Sequence, residues 1–140
     1  MATATIGFLP IVIKGNRESG SSVYVGDGSN VWPAVHRLGA AHLFCLALEN
    51  APAGSVLHAI DDEAVPFRDI AEVIGRHLNL PLLSLTAEEA VERFGWVGRF
   101  LMFDKPASSA LTRDWLGWNP TGPKLLEDLE QGHYFRVEQQ

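Results

Sequence analysis

The sequence predicts an α/β fold with few, short strands and a mostly helical second half. Three observations carry this. Val23-Tyr24-Val25 favour a strand and run into the turn sequence Gly26-Asp27-Gly28. Phe67, Ile70, Ala71, Ile74 and Leu78 share one face of a helix. Beyond Thr86, helix caps and stops recur with no strand-like run between them. Too few strands are encoded for a complete doubly wound sheet.

Taken in order, Gly7 to Arg17 reads as a helix that is apolar on almost every side and needs cover on more than one face. Val23 to Val25 and Val31 to Val35 read as two extended pieces, a hairpin or a strand-loop-strand, with Pro33 placing the second at an edge. Leu38 to Glu49 is a helix whose stripe is Leu38, Ala41, Cys45 and Leu48, widened by Phe44. Val56 to Ile60 reads as a buried strand, and Asp61-Asp62-Glu63 as an acidic loop serving capping and solvation. Pro66 opens a helix to about Asn79, and Pro81 to Leu85 is a short strand or link. Thr86-Ala87-Glu88-Glu89 is a capping box that starts a helix at Ala87, running to about Phe94. Further helical stretches are expected over Trp96 to Phe103, from Ser108 or Ser109 to Trp115 or Leu116, and from Thr121 to Gly132. Residues 1–140 then form one domain. Its parts are an apolar N-terminal helix (1–20), an α/β part (21–85), a helical tail (86–135) and a disordered end (136–140).

Composition narrows the function classes. With 17 acidic against 11 basic residues the net charge is −6, and the bases are scattered singly. Nucleic acid is not the expected partner, because phosphate binding needs clustered Lys and Arg. The apolar run Ile6 to Ile13 is far short of a membrane span (~20 residues) and is broken by Pro10. It also lacks the basic start and cleavage site of a signal peptide. The lone Cys45 can make no internal disulfide and reads as a small buried hydrophobe. The expected setting is cytoplasmic. The spacings of the five histidines do not make a metal site, and none is expected.

Gly26-Asp-Gly-Ser-Asn-Val-Trp-Pro-Ala-Val-His36 resembles the segment that follows the last core strand in NAD(P)-dependent epimerase/dehydratase proteins of the extended or atypical short-chain dehydrogenase/reductase (SDR) family. The resemblance continues through Ala40 to Glu49, Ala51 to Ile60, Val65 to Gly75, Pro106 to Arg113, Leu116 to Pro120 and Leu125 to Leu129. It implies a partial, mostly helical C-terminal portion of an SDR Rossmann-type fold. In such proteins an N-terminal domain carries a glycine-rich phosphate loop and a Tyr-x-x-x-Lys pair for proton and hydride transfer. Neither is present: Gly26-Asp27-Gly28 lacks the third glycine and the following helix. Tyr24 and Tyr134 have Gly28 and Glu138 four residues on. No cofactor is therefore expected on this chain, NAD(P) belonging to full-length relatives. Two departures stand inside the matching region, Val31 where a base is expected and Gly39 where an acid is expected. Their loss is expected to weaken substrate anchoring and helix capping.

The resemblance implies that Asn30, Trp32 and His36 line a substrate cleft, with Phe100 of the apolar cluster Trp96, Phe100, Met102 and Phe103 as a wall. A structural alternative stands beside this: Trp32 and the cluster pack as core, and His36 satisfies a backbone carbonyl. Trp115 and Trp118 read as packing anchors, and Ser108-Ser109 has no partner base to make a nucleophile. Three functions follow. The first is a truncated SDR homologue, a substrate lobe that is no oxidoreductase alone. The second is a small-molecule-binding or self-associating interaction module. The third is a cofactor-independent isomerase or cyclase reusing the cleft. A homo-oligomer or a covering partner protein is expected to mask the apolar Ile6 to Ile13 helix.

Overall fold

The computed structural model describes residues 8–136. Two small sheets are wrapped by helices in the order α1 (Phe8–Ser19), β1 (Ser22–Val25), β2 (Val31–Ala34), α2 (Arg37–Asn50), β3 (Asp62–Pro66), α3 (Phe67–Leu78), β4 (Leu82–Leu85), α4 (Ala87–Phe94), α5 (Trp96–Phe100), α6 (Ala110–Leu116) and α7 (Leu125–Glu130). A 3-10 turn, His133–Phe135, follows. The α/β class and the helical tail are as expected. The expected helix start at Gly7, residue Ile6 and the expected disorder over 137–140 lie outside the described residues.

The core lies around α3. Pro66 caps this helix, and Phe67, Ile70, Ala71 and Ile74 are fully buried, as their spacing predicts. Asn79 ends it in the left-handed conformation that an asparagine tolerates. α3 leads into β4, which pairs in parallel with β1 from Ser22↔Leu82 to Val25↔Leu85, the connection between them running through β2, α2, β3 and α3. A polar pin closes this layer. The Ser22 hydroxyl donates to the Ala71 carbonyl (2.6 Å), and the Asn16 side-chain oxygen accepts from the Val23 N–H (3.4 Å). Asn16, Ser22 and Val23 are all fully buried.

Several sequence expectations are corrected. β1 and β2 do not form a hairpin; β2 pairs antiparallel with β3, Val31↔Pro66 and Trp32↔Val65, with an irregularity between Trp32 and Ala34. The turn after β1 is captured by the start of α3: Phe67 N–H donates to Asn30 O and Arg68 N–H to Gly28 O. That diverts the chain away from β1. Asp62 and Glu63 belong to β3 rather than to a loop, because pairing with β2 overrides their poor strand propensity. Val56 to Ile60 forms no ladder and lies outside both sheets. α5 stops at Phe100, and the last helix starts at Leu125 rather than Thr121.

Burial departs from expectation at the surface helices. Val12 and Ile13 of α1 are buried, and Phe8 and Leu9 pack on the core. Ile11, between them, is 44% exposed. The stripe of α2 is turned outward instead: Leu38, Ala41, Phe44, Cys45 and Leu48 are all exposed, and Gly39 and Leu43 face inward. Cys45 is thus an exposed thiol, not a buried hydrophobe. Trp118 is a buried anchor, whereas Trp115 is 60% exposed. No described helix is long and apolar enough to cross a membrane.

Candidate functional site

Asn30, Trp32 and Phe100 come together around Phe8. The Trp32 ring lies 4.9 Å from Phe8 and 4.7 Å from Phe67, and Phe8 lies 5.2 Å from Phe100. Phe103 and Trp96 extend the cluster at 4.7 and 5.5 Å from Phe100. Such tilted aromatic pairs add to the burial of their area. The side-chain amide of Asn30 donates to the Leu101 and Phe103 carbonyls, both at 2.9 Å. Asp104 accepts from the Val31 N–H at 3.1 Å. β2 and the loop after α5 are thereby tied together. Trp96 and Phe103 are exposed, so the cluster has an outward aromatic edge, while Trp32 packs against the core. The indole Nε1 of Trp32 is buried with no hydrogen-bond partner among the described residues.

His36 stands in a second group. Its Nδ1 accepts from the Leu38 N–H (3.3 Å), making it the N-cap of α2, so its Nε2 carries the proton. That Nε2 lies 3.8 Å from Asp128 of α7. Asp128 is 6% exposed, accepts from the Tyr134 hydroxyl (2.9 Å) and lies 3.7 Å from His133 Nε2. Burial, with the Asp128 carboxylate, pushes Tyr134 up to about 12, so the hydroxyl remains a donor throughout the neutral range. Asp128, His133 and Tyr134 have no sequence signal linking them to His36; a distant helix and turn bring them in.

The cap at His36 revises the meaning of Gly39. A side chain there would place its Cβ 3.2 Å from Pro120 and 3.9 Å from Trp118, and the Gly39 carbonyl accepts from Trp118 Nε1 (3.0 Å). Gly39 is a packing requirement, and the helix keeps a cap without an acid there.

Asp61 is the other group that sequence reading missed. It is nearly buried, and Arg113 (2.9 Å) and Lys124 (2.6 Å) share its Oδ1. The neighbouring Asp62 accepts from the Leu125 N–H (2.7 Å) and so caps α7. Burial raises the Asp61 carboxyl, but the hydrogen bonds and charges of Lys124 and Arg113 outweigh it and hold the group below the ordinary 3.8. The folded carboxyl binds its proton less tightly than the unfolded one. The stability it contributes is present above the ordinary value and drains away as pH falls through the depressed folded value. Both cations are partly exposed, which limits the contribution to about 1–2 kcal/mol. Asp61→Asn is expected to lose that amount at pH 7 in urea unfolding. The difference from wild type should shrink as pH falls below the ordinary 3.8; a difference constant from pH 7 to pH 2 would contradict the charge argument.

The Gly26–Gly28 turn is crowded at Gly28 and open at Gly26, where an added Cβ would meet nothing. Gly28 N–H closes the turn onto Val25 O, and a Cβ at Gly28 would meet Arg68 Cβ at 2.6 Å and the Tyr24 ring at 2.8 Å. The turn leads into β2, not a helix, so it offers no helix N-terminus to a pyrophosphate. Among the described residues no group of three or more His, Cys, Asp or Glu is arranged to hold a metal ion. Two open depressions, one lined by residues such as Glu72, Arg76 and Leu82 and one by residues such as Glu88, Val91 and Met102, include none of Asn30, Trp32, His36 or Phe100.

The fold has a solved counterpart. The chain superposes on dTDP-glucose 4,6-dehydratase (DesIV) from Streptomyces venezuelae, solved with NAD and TYD bound. The TM-score is 0.66, at 15% sequence identity, over 92% of this chain and 38% of the dehydratase. The chain thus shares the fold of part of that dehydratase. In sequence, the chain is 48% identical over 128 residues to an uncharacterized protein of Schizosaccharomyces pombe, covering 91% of this chain and 43% of the relative. It is 44% identical over 126 residues to an uncharacterized protein of Saccharomyces cerevisiae, covering 90% of this chain and 42% of the relative. The chain therefore spans about two fifths of the length of the curated relatives it matches. No family model matches the sequence.

Proposed function

We propose that this chain is the substrate-side lobe of an SDR-like protein, supplying a wall of a small-molecule site and relying on a separate dinucleotide-binding part for redox chemistry. The observation that carries the reading is the structural match, which takes in 92% of this chain but 38% of the dehydratase. The crowding at Gly28 and the absence of a Tyr-x-x-x-Lys pair support the second half of it. In this reading Trp32 and Phe100 provide an apolar wall, Asn30 holds that wall to the loop after α5, and His36 presents its imidazole beside Asp128. Aromatic faces with few polar groups suit an organic substrate.

Isothermal titration of the chain with NAD and with NADP is expected to give no binding in the micromolar range. Micromolar binding of either by the chain alone would overturn the reading.

A further inference from the structure

The aromatic wall uses up nearly all of its own polar groups. The Asn30 amide spends its two donations on the Leu101 and Phe103 carbonyls, and the Asp104 carboxylate accepts from the Val31 N–H. One donor is left over. The Trp32 indole Nε1 is buried and makes no hydrogen bond among the described residues. Phe8 and Phe67 both pack on its ring, which hinders the indole from turning out to water. A buried N–H without an acceptor is costly, and a ligand oxygen seated against the indole would recover that cost.

The outward edge of the wall is aromatic. Trp96 is 61% and Phe103 44% exposed, and both meet Phe100 in T-shaped contact. Ile11, one turn along α1 from Phe8, is exposed on the same helix. A flat ring laid here can make the tilted contacts that these rings already make with one another, whereas a saturated ring gains burial alone. Charge narrows the ligand further. Asp104 is the charged side chain among the groups that build the wall. Arg68 is engaged with the Tyr24 ring and Glu72, and Arg99 lines the depression beside Glu88 and Glu92. An anionic ligand group is therefore mismatched to the wall, and an uncharged one is not.

We infer that the wall takes an uncharged planar ring system, aromatic or conjugated, that carries an oxygen acceptor for the Trp32 indole N–H. This rests on the substrate-lobe reading and narrows its organic substrate to one class. Trp96 and Phe103 select flat rings over saturated ones, and Trp32 selects the oxygen.

The test is a heteronuclear NMR titration of the full chain with four probes. They are 2-acetylnaphthalene, 2-ethylnaphthalene (the same shape without the oxygen), cyclohexyl methyl ketone (the oxygen without the flat ring) and thymidine diphosphate (an anion). 2-Acetylnaphthalene is expected to bind at about 0.1–1 mM, as ligand efficiency allows a molecule of its size. The Trp32 indole N–H resonance, assigned by its loss in Trp32→Phe, should move downfield as it gains an acceptor. The other three probes should bind more weakly, and in Trp32→Phe the acetyl and ethyl compounds should become equal. Trp96→Leu, at an exposed position, should weaken 2-acetylnaphthalene by about threefold to tenfold with the circular dichroism of the chain unchanged. The inference is overturned if 2-acetylnaphthalene does not bind, if cyclohexyl methyl ketone or thymidine diphosphate binds as well, or if the Trp32 indole resonance stays in place. Failure of the ring probe with no NAD binding removes this substrate class and leaves the lobe reading standing. NAD binding by the chain removes the lobe reading, whatever the ring probe does.

Discussion

Trp118→Ala is expected to lower the stability of the chain by about 3–5 kcal/mol, the range for emptying the site of a buried aromatic ring. Trp118 is 1% exposed and sits where α2, α6 and the segment before α7 meet. Its indole donates to the Gly39 carbonyl, and the Arg113 guanidinium lies 5.5 Å from the centre of its ring. Gly39 is an N-terminal residue of α2, where His36 caps the helix, so the ring fixes the helix that carries both the cap and the outward apolar face. Urea unfolding followed by far-ultraviolet circular dichroism reads the loss directly. Trp118→Phe keeps most of the bulk and loses the second hydrogen bond to the Gly39 carbonyl, which keeps its helical donor, and should cost about 0.5–1.5 kcal/mol. If Trp118→Ala costs less than about 1 kcal/mol, the ring is not the anchor argued here.

The second large effect is expected at Gly98→Ala. An added Cβ would lie 2.2 Å from the Ala90 carbonyl oxygen, 2.5 Å from its carbon and 2.8 Å from the Val91 nitrogen. All three are backbone atoms of α4, and Ala90 is fully buried, so no flexible side chain can give way. α4 and α5 must move apart. The expected cost is about 3 kcal/mol, at the upper end of the overpacking range. Phe100 leaves the helix two residues later, so the separation should also shift its stacking on Phe8 and Trp96. Near-ultraviolet circular dichroism is expected to change in the folded variant. An unchanged spectrum with full stability would mean that α4 and α5 are not held at the distance the glycine sets.

These two sites differ in how visible they are to a reader of the sequence. Trp118 was legible as an anchor because it flanks the helix-stopping Gly117. Its neighbour Trp115 read the same way and is mostly exposed. Gly98 carries no local sign: a glycine inside a five-residue helix is explained by the helix beneath it. The aromatic wall was legible in part, since Trp32 and Phe100 were singled out. Phe8, the ring that joins them, was not, because it lies far away in sequence. The groups around His36 and Asp61 were invisible for the same reason. Asp128, Arg113 and Lys124 reach them from α7, α6 and the loop before α7.

What the sequence determined by itself was every feature settled within a few residues. The face of α3 follows from the 3.6-residue period of its apolar side chains, the start of α4 from the Thr86–Glu89 capping box, and the end of α6 from Gly117. The α/β class and the helical tail follow in the same way. Tertiary structure alone decided the strand partners and the direction in which α2 faces. β1 passes over its neighbour in sequence to pair with β4, and Asp62–Pro66 rather than Val56–Ile60 becomes the third strand. Strand pairing depends on backbone partners distant in sequence, and a helical stripe states that a face is apolar without stating what covers it. Segment 56–60 and α2 have the composition of buried elements and an exposed position.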